Sequence, residues 1–168
     1  MNRSIVLSID NTLSWFSRQF ALAGGLIMVA LALMTVASIL GRSFAGASIQ
    51  GDYELVEMGL AISVFLFLPE CHQQKGHIVV DFFTVNASKT TLDLLKAISD
   101  LLFAVLAALL IWRMGIAALE AYDYQEASMI LELPLWAAYV PAIIAMCLLC
   151  LCCLFTSVVG GWRIFQDE

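Results

Sequence analysis

The chain has 168 residues, 62% hydrophobic and 13% charged, with a mean hydropathy of +0.92. Soluble domains carry about 25% charged residues, so this composition excludes a water-soluble globule and points to the bilayer as the solvent of the fold. The net charge of −6 excludes a nucleic-acid binder, which needs a basic surface.

Residues 1–19 mix polar and apolar side chains. Val6, Ile9, Leu13, Phe16 and Phe20 recur at spacings of three and four, while Arg3, Asp10 and Arg18 lie off that stripe. This predicts an amphipathic helix on the membrane surface, turning into the first span near Trp15. The apolar run that follows is too long for the core of a signal peptide, so the first span (about 20–40) is read as retained. Its uncharged stretch Phe20–Leu40 is long enough to cross roughly 30 Å of hydrocarbon.

The second span (about 53–70) is short of apolar residues. Only Met58 to Pro69 separate Glu57 from Glu70, which as helix covers roughly 18 Å. The helix must therefore carry Glu57, and with it Glu54, into or near the membrane, where a carboxylate needs a partner. Arg113 in the third span (about 97–119) stands at a similar depth, so a Glu57–Arg113 pair is expected. Arg42, just after the first span, is expected to meet Glu54 or Asp52. The alternative is that each side chain snorkels separately to the interface.

Between the second and third spans lies a loop holding both histidines, His72 and His77. Thr90 fits the cap of the third helix, with Asp93 three residues on. The loop after the third span carries Glu120, Asp123, Glu126 and Glu132 and no base, which suits either simple solvation or a docking surface. Pro134 suits the first turn of the fourth helix (about 133–159), Trp136 and Tyr139 the interface, and Pro141 a kink.

Lys and Arg divide unevenly between the two sides. Arg3, Arg18, Lys75, Lys89, Lys96 and Arg163 fall on one side and Arg42 on the other. The positive-inside rule puts both termini and the second loop in the cytoplasm. The expected fold is an all-α integral membrane protein of four transmembrane helices, one membrane domain over residues 1–168.

Chemistry has little to stand on. Cys147, Cys150, Cys152 and Cys153 spread around one apolar helix and read as small hydrophobic filler rather than thiolate ligands. No phosphate loop, zinc-protease motif or nucleophile elbow occurs. No cofactor or metal is expected. Thr35, Ser38 and Ser63 are the central polar candidates, and such hydroxyls mostly bond to their own helix or a neighbour.

Several runs, taken in order, carry a resemblance. Arg42-Ser43-Phe44 follows the first span and Asp52-Tyr53-Glu54-Leu55-Val56-Glu57 opens the second. Phe67-Leu68-Pro69 and Lys75-Gly76-His77-Ile78-Val79-Val80-Asp81-Phe82-Phe83 come next, and Leu133-Pro134-Leu135-Trp136 with Tyr139 and Pro141 closes the series. This order resembles the small membrane subunit of a tripartite ATP-independent periplasmic (TRAP) transporter, the DctQ type. The resemblance implies a non-enzymatic scaffold subunit in a bacterial inner membrane. Its implied partners are membrane lipids, a large subunit and a periplasmic binding protein. The large subunit would move an organic anion, often a carboxylate, by an elevator motion on a sodium gradient, and the binding protein would deliver the anion. On that reading Glu120, Asp123 and Glu126 help dock the binding protein. Two other classes remain: a membrane anchor of a redox complex, and a self-contained four-helix exporter.

Overall fold

In lipid every backbone N–H and C=O must be paired within the chain, and long apolar runs meet that demand as helix. The computed structural model describes residues 3–46, 49–74 and 89–164. They form four helices: α1 (Arg3–Ala45), α2 (Asp52–Gln73), α3 (Lys89–Asp123) and α4 (Trp136–Ile164). The only extended pairing among the described residues is one antiparallel bridge, Ala127 to Pro134. Each helix contains a segment long and apolar enough to cross a membrane: Ser8–Phe44, Asp52–Gln73, Ile98–Asp123 and Trp136–Val159. The protein is a multi-pass, all-α membrane protein.

Helix bounds depart from expectation in three places. α1 is a single helix of 43 residues, roughly 65 Å long, with no break near Trp15. Asp10 to Phe20 contain neither Pro nor Gly, so nothing there ends it. α2 runs through Pro69 to Gln73. A proline so near the end forfeits one hydrogen bond, to the Phe65 carbonyl, and the turn after it still closes with Gln74 N–H donating to Glu70 O at 3.0 Å. α3 is described from Lys89 onward, so the cap expected at Thr90 falls at the margin of the described residues. α4 starts two residues after Pro134, whose carbonyl accepts from Ala137 N–H at 3.1 Å.

The helices pack in the order α1, α2, α4, α3. α4 lies between α2 and α3, whose backbones do not pack together among the described residues. α1 meets α2 along one seam of small and flexible side chains. Ser17, Gly24, Leu31 and Ser38 recur every seven residues, and the first, second and fourth are buried. A Cβ on Gly24 would lie 3.2 Å from Leu66 Cβ and 3.3 Å from Ser63 O; one on Gly59 would lie 2.7 Å from Leu31 Cδ1. Each helix thus presents a glycine to the other's leucine, the close approach by which membrane helices gain dispersion contact. The core between α3 and α4 is Ala104, Ala107, Met146, Leu149 and Cys153, with Phe65 and Leu68 of α2 packed on it. Cys152 and Cys153 are fully buried, while Cys147 faces out. The opposite face of α1 bears Leu22, Leu26, Val29, Leu33 and Val36, each more than half exposed.

Candidate functional site

Polar groups concentrate at the two ends of the bundle. At the end carrying the α1–α2 and α3–α4 connections, hereafter the loop end, Ser38 is buried on the inner face of α1. Its hydroxyl donates to Asp52 Oδ2 at 2.6 Å and accepts from Ile49 N–H at 3.4 Å. Arg42 Nη2 stands 4.0 Å from the same Asp52 oxygen, with its side chain 62% exposed. Water screens that ion pair, so the short hydroxyl–carboxylate bond is the firmer tie. Arg42 therefore meets Asp52 and not Glu54.

Glu54 has a different task. Its two carboxylate oxygens accept from Ile130 N–H at 2.8 Å and Leu131 N–H at 2.9 Å, in the α3–α4 connection. Beside it Gly51 precedes α2 with φ +78°, a left-handed conformation that favours glycine. Leu131 lies over it, and a Cβ there would come 2.4 Å from Leu131 Cγ. The first turn of α2 therefore holds the far loop by charge-assisted bonds on one side and a shape fit on the other.

That loop is itself folded. Ser128 N–H donates to Leu133 O at 2.9 Å, Leu135 N–H to Glu126 O at 3.0 Å, and Leu133 N–H to the Ser128 hydroxyl at 3.2 Å. Gln125 and Glu132 take left-handed backbone conformations at φ 53° and 52°. Tyr122 meets Trp136 edge to face, with ring centroids 6.0 Å apart. Glu120 and Asp123 end α3, and Glu126 and Glu132 lie in the connection; all four are exposed.

Glu57 and Arg113 are not brought together. Both are exposed, and no ion pair within 4.0 Å joins them among the described residues. Glu57 is on α2 and Arg113 on α3, and α4 lies between those helices. Similar depth in a bilayer does not make two helices neighbours.

At the opposite end, the sequence reading missed a buried polar cluster. His72 falls in the last turn of α2, not in a loop, and is 8% exposed. Its Nε2 lies 3.2 Å from Thr156 Oγ1 of α4 and 3.9 Å from Asp100 Oδ1 of α3. Its Nδ1 lies 3.7 Å from Cys153 Sγ. The Thr156 hydroxyl reaches the carbonyls of Cys152 and Cys153 at 3.0 and 3.1 Å. Its single proton goes there, so its oxygen accepts from His72 Nε2–H. In the neutral ring Nδ1 is then the acceptor for the Cys153 thiol. Next to it Gln73 Nε2 donates to Cys152 Sγ at 3.4 Å, and Ser17 Oγ of α1 lies 3.8 Å from the same sulfur. All four helices meet in this cluster. The signal that could have found it was the pairing of two polar residues, His72 and Gln73, with the small side chains of α4. His77 lies outside the described residues.

The middle of the bundle holds little polarity. Thr35 donates to Leu31 O at 2.8 Å and Ser63 to Gly59 O at 2.7 Å, each within its own helix.

Comparison with known proteins agrees with this architecture. The family model described as "Tripartite ATP-independent periplasmic transporters, DctQ component" matches residues 31–164, from the middle of α1 to the end of α4. No curated protein and no solved structure matches the chain. The matched segment covers most of the sequence and part or all of each of the four helices, and the chain belongs to the DctQ family, a membrane component of TRAP transporters.

Proposed function

We propose that this chain is a static small subunit that widens the scaffold of a large membrane subunit in a bacterial inner membrane. The large subunit would carry an organic anion such as a carboxylate by an elevator motion on a sodium gradient. A periplasmic binding protein would supply the anion. The family match carries the reading. The internal chemistry supports it: the hydroxyls midway along α1 and α2 are spent on their own helices, which suits a scaffold better than a conduit.

The distribution of Lys and Arg supports cytoplasmic termini and a periplasmic loop end. The exposed carboxylates Glu120, Asp123 and Glu126 would then face the arriving binding protein. The exposed apolar face of α1, from Leu22 to Val36, would be covered by lipid or by the large subunit. Vesicles containing only this chain should accumulate no carboxylate on a sodium gradient. Uptake by such vesicles would overturn the scaffold reading in favour of a self-contained transporter.

A further inference from the structure

Toward the loop end a groove of about 630 Å³ opens between α2 and α3, floored by α4. Glu57, Ala61 and Phe65 line one wall, Met114 the other, and Tyr139 and Ala142 the floor. The groove has a polar end and an apolar end. Glu57 and Glu54 stand at the first, Phe65, Met114 and Ala142 at the second. Glu57 to Phe65 spans eight residues, roughly 12 Å along the helix, close to the depth of one leaflet in a core about 30 Å thick.

Two observations select the occupant. One is size. A volume of about 630 Å³ lies within the range of sites for one small ligand, about 300 to 1,000 Å³, and suits a single flexible chain. The other is charge. Glu54 spends both oxygens on the loop, whereas Glu57 has no hydrogen bond or ion pair among the described residues, and Arg113 lies beyond ion-pair distance of it. A carboxylate at membrane depth needs a cation with hydrogens to donate. A primary ammonium brings three.

We propose that the groove binds one aminophospholipid, its ammonium against Glu57 and one acyl chain laid past Ala61 and Phe65 toward Ala142. The assignment holds whichever way the chain is oriented and does not rest on the transport reading. An anionic lipid without an ammonium finds a like charge at the polar end and is disfavoured.

The test uses the full chain in nanodiscs of equal parts phosphatidylethanolamine and phosphatidylglycerol, with native mass spectrometry counting the lipids retained on release. The chain should keep one phosphatidylethanolamine about tenfold in preference to phosphatidylglycerol, equivalent to roughly 1.4 kcal/mol. Glu57→Gln should make retention of the two lipids equal. Ala61→Phe should remove the retained lipid altogether by filling the groove. Equal retention by the unmodified chain, or an unchanged preference in Glu57→Gln, would overturn the proposal. So would loss of the lipid when the chain is isolated with a co-expressed membrane partner, which would assign the groove to a partner's side chains.

Discussion

Glu54 shows how one carboxylate organises structure far from it in sequence. It lies in the first turn of α2 and accepts from two consecutive N–H groups 76 and 77 residues away. Replacing it by alanine removes both acceptors and leaves Ile130 and Leu131 N–H unpaired. Hydrogen exchange at Ile130 and Leu131 should accelerate in Glu54→Ala, by about tenfold or more, with little change at Leu149 in the core. Glu54→Gln retains one acceptor oxygen and should fall between. Equal exchange in all three proteins would mean that the loop holds itself. The residue type was legible in the sequence as a carboxylate needing a partner, and of the two partners offered to Arg42, Glu54 or Asp52, it meets Asp52. Backbone donors are invisible to charge matching, because every non-proline residue carries one.

Helix packing depends on small residues more than on the apolar stripe. The α1–α2 seam uses Gly24 and Gly59 to bring the backbones close. At Gly24 the neighbours are a backbone carbonyl and a Cβ, which cannot swing away. At Gly59 the neighbour is the far end of Leu31, which can change rotamer. Gly24→Val should therefore lower thermal stability in detergent by the equivalent of about 1–3 kcal/mol, the usual cost of overpacking. Gly59→Ala should cost less. Gly25→Ala meets nothing within 4 Å and should be neutral or mildly stabilising, since glycine is a poor helix former. A Gly25 variant as damaging as the Gly24 variant would show that the seam lies elsewhere. The cysteines of α4 follow the same rule. Cys152 and Cys153 fill the interior as small side chains, while Cys147 looks outward, as their spacing on one helix requires.

At the scale of the whole molecule, the two ends differ in kind. One is a buried cluster that joins all four helices around His72. The other presents exposed carboxylates on a folded, tethered loop. If the loop end faces the periplasm and receives the binding protein, Glu120, Asp123 and Glu126 act by long-range attraction, chiefly on the association rate. Neutralising all three to Gln and Asn should raise the binding-protein concentration needed for half-maximal uptake by the complete transporter. The difference should shrink as salt shortens the Debye length from about 30 Å at 0.01 M to about 8 Å at 0.15 M. Assembly in the membrane should be unaffected. Identical uptake curves at low salt would leave these carboxylates a solvating role only.

Hydropathy is a property of each segment by itself, so the sequence alone determined the solvent, the helix number and the approximate spans. The helical spacing of the α4 cysteines was legible for the same reason, whereas for Thr35, Ser38 and Ser63 a bond to the own helix or to a neighbour stood open, and the structure gives the first for Thr35 and Ser63 and the second for Ser38. Which helices touch is not local. The order α1, α2, α4, α3 follows from how glycine, serine and alanine faces fit, and it decides every long-range pairing. It separates Glu57 from Arg113 despite their matching depths, sends Ser38 to Asp52, and draws His72 into the bundle beside Asp100 and Cys153. A side chain reaches only a few ångströms, so its partner is set by helix adjacency and rotation, and only the packed tertiary structure supplies those.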